Sequence, residues 1–171
     1  MDDDAEILAE MRASPGRRVI GIGSLGGLGV LVLWIAFARP PELMWQVFLI
    51  VVGLAALWCA DAMRRATASR VHLTRAELRD TDGTLLARVA DIEAVDRGAF
   101  AFKPSNGFLV RLAERGPSNA WRPGLWWRLG RQIGVGGMTP GHQAKNMADI
   151  LAALLETRTD RDTAARNDHL D

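Results

Sequence analysis

The stretch VIGIGSLGGLGVLVLWIAFARPPELMWQVFLIVVGLAALWCA, residues 19–60, decides the fold of this 171-residue chain. Its only charged residues are Arg39 and Glu42, which flank two prolines in its middle. The runs on either side, about residues 19–38 and 43–63, are long enough to cross a hydrocarbon core of roughly 30 Å as helices. Because a helix cannot continue through the two prolines that separate these runs, the sequence predicts a transmembrane helical hairpin.

Gly21, Gly23 and Gly26 have the G-x-G-x-x-G spacing of dinucleotide-binding turns. Such a turn needs a strand before the glycines and a polar site where a pyrophosphate meets a helix N-terminus. Here the glycines lie inside an apolar run, so we expect no nucleotide cofactor. Small residues four apart are typical of close helix packing in membranes. The predicted packing positions, within the hairpin or against a partner, are Gly23, Gly27, Ala56 and Ala60.

A cleavable signal peptide is the alternative interpretation of the first apolar run, because Ala36-Phe-Ala38 resembles a cleavage site. The preceding segment, residues 1–18, carries a net charge of −2, whereas a signal peptide begins with a short basic region. A second apolar run also follows directly. We therefore favour a retained anchor.

The arginines around the hairpin predict its orientation. The short loop between the spans has only Arg39, whereas both outer flanks are arginine-rich, so the positive-inside rule places both termini in the cytoplasm. Asp61 is expected to pair with Arg64 and Arg65 at the helix end. Nineteen arginines against two lysines are typical of a GC-rich bacterial genome, which indicates the bacterial inner membrane. The flanking arginines are Arg12, Arg17 and Arg18 before the hairpin and Arg64, Arg65 and Arg70 after it.

Residues 70–156 have a different pattern, with short runs in which apolar and polar residues alternate. The first, RVHLTRAELRD at residues 70–80, precedes a turn-forming Thr-Asp-Gly and a partner strand. Thr139 is the predicted N-cap of a helix whose apolar residues recur at three- and four-residue spacing. We therefore expect an α+β fold of five to seven antiparallel strands closed by a C-terminal helix, followed by a disordered tail over residues 157–171.

A two-span anchor followed by RVHLTRAELRD, DIEAV, GFLVRL and GGMTPGHQAKNMADILAALLE resembles the bacterial PH-like domain family over residues 70–156. The resemblance implies a small antiparallel barrel or sandwich of seven strands capped by the helix, and a binding or scaffolding role. Phosphoinositide-binding PH domains hold phosphates with a basic first hairpin, whereas the turn here is the acidic Asp80-Thr-Asp82-Gly. This departure argues against binding of inositol lipids.

Tryptophan and arginine interleave in AWRPGLWWRLGRQ, residues 120–132. This composition is typical of a surface that meets lipid headgroups or a protein partner. The alternative is that alternate residues fill the core while the arginines extend into solvent. Neighbouring strand residues point to opposite faces, so at most one of the paired tryptophans lies in the core. The candidate interface residues are Trp121, Arg122, Trp126, Trp127, Arg128 and Arg131.

Nothing in the sequence assembles a catalytic site. Cys59 lies inside the apolar block, and the three histidines are too far apart in sequence to form a ligand-spaced pair. The chain has no nucleophile elbow, metal-binding histidine pair or phosphate loop. We therefore expect no enzyme activity, no metal, no cofactor and no small-molecule substrate.

The charge distribution indicates the class of partner. Residues 64–156 carry fourteen bases and nine acids, a net charge of +5 directly after the apolar block. An anionic lipid surface attracts such a domain, whereas the interleaved acids argue against nucleic acid. We expect a binding or scaffold protein of the inner membrane, an accessory or assembly component of a membrane complex or a homo-oligomer. The alternative is a membrane-surface enzyme or transport component that uses polar groups of the domain.

Overall fold

A computed structural model of the protein describes residues 6–97, 104–116 and 118–168, with side chains as far as residue 161. The described residues form an α+β structure with two long apolar helices, two antiparallel sheets and a C-terminal helix. The helices are α1 (Pro15–Ala38), α2 (Leu43–Ala66) and α3 (Gly141–Asp168). The strands are β1 (Ala9–Arg12), β2 (Arg70–Leu73), β3 (Glu77–Asp80), β4 (Leu85–Arg88), β5 (Ile92–Asp96), β6 (Phe108–Leu112), β7 (Ala120–Arg122), β8 (Trp126–Leu129) and β9 (Gln132–Val135).

Helices α1 and α2 form the predicted hairpin and pack closely against each other. Each has 24 residues, about 36 Å at 1.5 Å per residue. The closest approach is at Gly29 and Gly53: a Cβ on Gly29 would lie 2.9 Å from the Leu57 side chain, and one on Gly53 would lie 2.6 Å from Cγ of Leu33. Absence of a side chain at both positions therefore lets the two backbones meet.

The predicted small-residue positions divide between the hairpin interface and its outside. Ala60 is buried and lies near Gly26, and Ala56 is half-buried. Gly23 and Gly27 are exposed, and a Cβ at either would meet nothing within 4 Å. Gly23 and Gly27 therefore do not pack the hairpin; their contact with a partner stays a prediction.

Strand β1 precedes the hairpin and pairs with β2, which follows it. The register aligns Ala9 with Leu73 and Arg12 with Arg70, so the hairpin is inserted between two neighbouring antiparallel strands. Met11 of β1 is fully buried. The segment over residues 1–18, which we expected only as a cytoplasmic N-terminal segment, therefore supplies part of the folded domain. Four residues are too few for an alternating pattern to reveal the strand.

The two sheets and α3 share one hydrophobic core. One sheet has the order β1-β2-β3-β4 and the other β5-β6-β9-β8-β7, and the described residues form no closed barrel. The described part of residues 70–156 has eight strands, β2–β9, so the expectation of five to seven is wrong. The run over residues 70–80, which the alternating pattern predicts as one strand, is two strands. Between them the amide of Thr74 donates to the carbonyl of Glu77 at 2.9 Å, and the amide of Glu77 donates to the Thr74 hydroxyl at 3.1 Å.

Helix α3 buries the face that its sequence pattern predicts, with Ala144, Met147 and Leu151 at most 3% exposed. The helix does not end near residue 156, where we expected a disordered tail, but continues to Asp168. Arg158 holds the first turn beyond residue 156 against the domain, because its guanidinium donates to the backbone carbonyls of Val89, Ala90 and Ile92 at 2.8–3.0 Å. Arg158 thus ties a polar part of the helix to the domain.

Candidate functional site

The tryptophan and arginine segment folds into strands β7 and β8. A tight turn at Gly130 and Arg131 then connects β8 to the antiparallel strand β9. The register places Trp121 opposite Trp127 and Arg122 opposite Trp126. Gly124 forms the connecting turn with a φ of 83°, a conformation that favours glycine. Alternation along the strands sends Trp126 and Arg128 inward, whereas Trp121, Trp127 and Leu129 lie on the outer face.

Trp126 is a core residue that joins the two sheets. Its side chain is 1% exposed, and its indole Nε1 donates to Oδ2 of Asp80 at 2.8 Å. Asp80 ends β3 in the opposite sheet and is fully buried. This hydrogen bond satisfies the polar end of a buried tryptophan, so the core interpretation holds for Trp126.

Arg128 is also buried, so it is not part of an exposed interface as we predict from the sequence, nor does it extend into solvent as the alternative interpretation requires. Its Nε donates to the carbonyl of Ser118 at 2.7 Å, and its Nη1 donates to the carbonyls of Leu85 and Leu86 at 2.8 and 3.0 Å. Burial lowers the pKa of this guanidinium. Because β4 is the outer strand of its sheet, Arg128 supplies donors to carbonyls that another strand would otherwise bind.

Arg122 and Arg131 are partly exposed and engaged within the domain. Arg122 pairs with Asp82 in the β3–β4 turn. Burial opposes ionisation of Asp82, but hydrogen bonds from Thr84 and the charge of Arg122 outweigh it and hold the Asp82 pKa below its ordinary value. Arg131 donates from Nε to the carbonyl of Leu112 at 2.9 Å and from Nη2 to Glu93 at 3.0 Å. These arginines therefore brace strands and turns.

An apolar surface remains on the outer side of β7 and β8, which we name the aromatic face: Trp121, Trp127 and Leu129. Trp121 is 59% exposed and Leu129 is 63% exposed. The Trp127 ring lies over Gly134 of β9, where a Cβ would lie 2.3 Å from its Cε2. The face borders a depression of about 460 Å³. Strand β7 is the outer strand of its sheet, and among the described residues no further strand pairs with its free edge.

The aromatic face lies close to the hairpin because the β7–β8 turn rests on the end of α2. A Cβ on Gly124 would lie 3.2 Å from Cγ2 of Thr67, the residue that follows α2. The turn carbonyl at Gly124 also accepts from the amide of Met138 at 2.9 Å. Surface groups on β7 are therefore held near the end of the helix pair.

Met138 contacts both the hairpin and the residue before it, and sequence reasoning missed it. Its carbonyl accepts from the amide of Ser14 at 2.8 Å, just before α1 begins. Its side chain fills the space beside Gly21, where a Cβ would lie 2.2 Å from the Met138 Cε. An apolar side chain therefore packs against Gly21, which is part of the apparent dinucleotide motif. The only sequence signal is an apolar residue inside the turn GGMTP.

Comparison with known proteins adds no assignment. No protein-family model, curated protein or solved structure matches this chain. The PH-like resemblance of residues 70–156 therefore stays a prediction. The candidate site follows from the geometry alone: Trp126 and Arg128 belong to the core, and Arg122 and Arg131 brace the domain. Of the predicted interface residues, Trp121 and Trp127 lie on the aromatic face, to which the structure adds Leu129.

Proposed function

We propose that this chain is a bacterial inner-membrane binding protein, in which the hairpin anchors a PH-like domain at the cytoplasmic surface. Its role is that of an accessory or assembly component of a membrane complex. The two sheets and the C-terminal helix around one core support the PH-like assignment in its coarse features, although the described residues form no closed barrel. The aromatic face supports a role in binding.

The exposure of the hairpin supports the membrane anchor. Within the most apolar 18-residue stretch of each helix, only 11% of α1 and 17% of α2 is buried inside the protein. The core helices of soluble proteins, by contrast, are mostly buried. Trp34, Phe37 and Trp45 are exposed at the end where the two helices are joined. Aromatic residues at such positions are typical of a membrane interface.

The pairing of β1 with β2 constrains the topology of an inserted hairpin. Because these strands are hydrogen-bonded neighbours, the residues before α1 and after α2 lie on the same side of any membrane that the hairpin crosses. Arginines are concentrated on this side, which supports its assignment to the cytoplasm. The loop at Arg39 then lies on the opposite side.

The observation that carries the binding role is the aromatic face at the open side of β7. Exposed tryptophan is typical of the centre of protein interfaces, where its large ring is buried on binding. The β7–β8 turn rests on Thr67 at the end of α2, so a partner on this face is itself near the membrane surface. We therefore assign the face to a segment of a membrane-protein partner.

Affinity purification from native membranes tests this proposal. The tagged full-length chain is isolated in mild detergent beside a Trp121→Ser/Leu129→Ser variant, and the co-purifying proteins are identified by mass spectrometry. Trp127 is left intact because its ring covers Gly134. The matched control is Ile7→Ser, which removes an exposed apolar side chain (52% exposed) before β1.

We expect a stoichiometric membrane protein with the native chain and with Ile7→Ser, and its loss with the double variant. Retention of the same partner by the double variant would remove the aromatic face from the proposal. Recovery of the native chain alone, as a monomer, would contradict the accessory role. If the native chain is recovered as a homo-oligomer and the double variant as a monomer, the occupant of the face is a second copy of this chain.

A further inference from the structure

An open cavity of about 700 Å³ lies where the hairpin meets the first sheet. It is formed by the start of α1, the end of α2 and the neighbouring ends of β1 and β2. Each of these four elements contributes one arginine to its wall. We name it the arginine pocket, after Arg12, Arg18, Arg64 and Arg70.

The arginine pocket carries an excess of positive charge. No carboxylate is among the described residues that line it. Arg64 pairs with Asp61 at 2.8 Å and Arg70 with Glu10 at 2.9 Å, both outside the lining. In the part of the chain that the structure describes, neither Arg12 nor Arg18 forms an ion pair with a carboxylate. Two guanidinium groups therefore have no carboxylate within ion-pair distance in the described structure.

The other wall of the arginine pocket is apolar. Val19, Ile22 and Gly23 line it from the first turns of α1, where the long apolar run begins. A Cβ on Gly23 would meet nothing within 4 Å, so the cavity is open at this side. The pocket thus places guanidinium groups toward the domain and apolar surface toward the span.

This pairing of surfaces matches the chemistry of a phospholipid. Guanidinium groups bind phosphate oxygens through paired, charge-assisted hydrogen bonds. The acyl chains that follow the phosphate and the glycerol ester groups are apolar and lie deeper in the bilayer. Basic pockets between spans on the cytoplasmic side are known to bind anionic headgroups. A free phosphate ion would use the arginines alone and leave the apolar wall uncovered.

We propose that the arginine pocket binds the phosphate of one anionic phospholipid and thereby ties the hairpin to the first sheet. The inference rests on the proposed membrane anchoring, because the lipid must reach the pocket from the bilayer. It adds a ligand and a site to the binding role, and it does not involve the aromatic face. The same phosphate chemistry is present in a soluble ion, so the test separates the two sources.

Native mass spectrometry of the full-length chain in a neutral detergent tests the proposal. Phosphatidylglycerol and phosphatidylcholine with identical acyl chains are added in turn, and the bound fraction is measured against lipid concentration. We expect one phosphatidylglycerol to bind at least tenfold more tightly than phosphatidylcholine. In the variant Arg12→Gln/Arg64→Gln the apparent affinity for phosphatidylglycerol falls at least tenfold.

The variant is chosen to keep the fold, since Asp61 retains its ion pair with Arg65 when Arg64 is replaced. The matched control is Arg88→Gln/Arg111→Gln, which removes two exposed arginines of the domain outside the pocket. Its affinity for phosphatidylglycerol should equal that of the native chain. Equal binding of the two lipids, or an equal loss in both double variants, would overturn the site.

A competition experiment identifies the source of the phosphate. Inorganic phosphate is added to the lipid-bound protein and compared with sodium chloride of the same ionic strength. Equal effects of the two salts support a lipid ligand; specific displacement by phosphate would overturn it in favour of a soluble ion. Carbonate washing of native membranes separates this inference from the anchor: release of the protein contradicts the anchor, whereas retention without lipid selectivity contradicts only the pocket.

Discussion

Trp121 and Trp126 are five residues apart and have opposite roles. Replacing Trp126 with Phe removes the donor to Asp80 and leaves a buried carboxyl group without it. We expect the free energy of unfolding to fall by about 2 kcal/mol, a typical cost for an unsatisfied buried polar group. Chemical denaturation of the full chain in detergent, followed by circular dichroism, measures this change.

The control is Trp121→Phe, because Trp121 lies on the outer face and is 59% exposed. Surface substitutions of this kind change stability by about 0.5 kcal/mol or less. Equal destabilisation by the two substitutions would show that the indole hydrogen bond of Trp126 has no special role.

Asp82 gives the domain a predictable response to acid. Its pKa in the folded state lies below the ordinary value of 3.8, so the ionised carboxylate stabilises the fold at neutral pH. This contribution is lost as the pH falls below the ordinary value and through the folded pKa. The stability difference between the native chain and Asp82→Asn should therefore shrink between pH 7 and pH 3. Unfolding curves at both pH values measure it, and a difference that stays constant would contradict the assignment.

At the scale of the elements, the hairpin depends on the crossing at Gly53. A methyl group there would lie 2.6 Å from Cγ of Leu33 and 3.2 Å from the carbonyl oxygen of Gly29, so backbone or branch atoms must move. We expect Gly53→Ala to lower the free energy of unfolding by about 1–3 kcal/mol, as overpacking does. The melting temperature of the purified chain reports the change.

Gly27→Ala is the matched control, since a methyl group there meets nothing within 4 Å. It should leave the stability of the isolated chain unchanged or slightly raised, because alanine favours helix more than glycine does. If Gly27→Ala destabilises the chain as much as Gly53→Ala, the two helices do not pack as described.

Elements with a long pattern could be predicted, and those fixed by single distant contacts could not. Two uninterrupted apolar runs specify α1 and α2. The three- and four-residue spacing of apolar residues specifies the buried face of α3. By contrast, β1 has four residues, and its pairing with β2 lies across the whole hairpin. The extension of α3 past residue 156 includes the contact of Arg158 with carbonyls nearly seventy residues away, which no local pattern predicts.

The position of the candidate site in the chain could be predicted from the sequence, but which of its side chains are exposed could not. The apolar and alternating run from Leu125 indicates strands, and alternation implies that Trp126 and Trp127 face opposite ways. Strand β7 lies in a stretch rich in turn formers, which did not indicate a strand. It does not say which of them is inward, because that depends on Asp80 in the other sheet. Burial of Arg128 depends likewise on carbonyls of β4. The arginine pocket joins residues on both flanks of the hairpin, which no local pattern connects.

At the scale of the whole molecule, β1 and the domain after the hairpin form one folded unit, because β1 pairs with β2 and contributes to the same hydrophobic core. A fragment that begins at Arg70 lacks β1, leaves the edge of β2 unpaired and loses the buried Met11. We expect this fragment to aggregate, since unpaired sheet edges associate. A variant in which a short Gly/Ser linker replaces residues 15–67 retains β1 and should be monomeric. Size-exclusion chromatography of both compares them, and a stable, monomeric fragment from Arg70 would contradict a structural role for β1.

Cysteine labelling in intact membranes tests most directly that the hairpin spans the bilayer with both flanks on one side. In a Cys59→Ala background, single cysteines replace Glu6, Pro41 and Arg111, and a membrane-impermeant maleimide is applied to right-side-out and inverted vesicles. We expect Pro41 to label from outside, and Glu6 and Arg111 only in inverted vesicles. Labelling of Pro41 and Arg111 from the same side, or of Glu6 and Arg111 from opposite sides, would contradict the account.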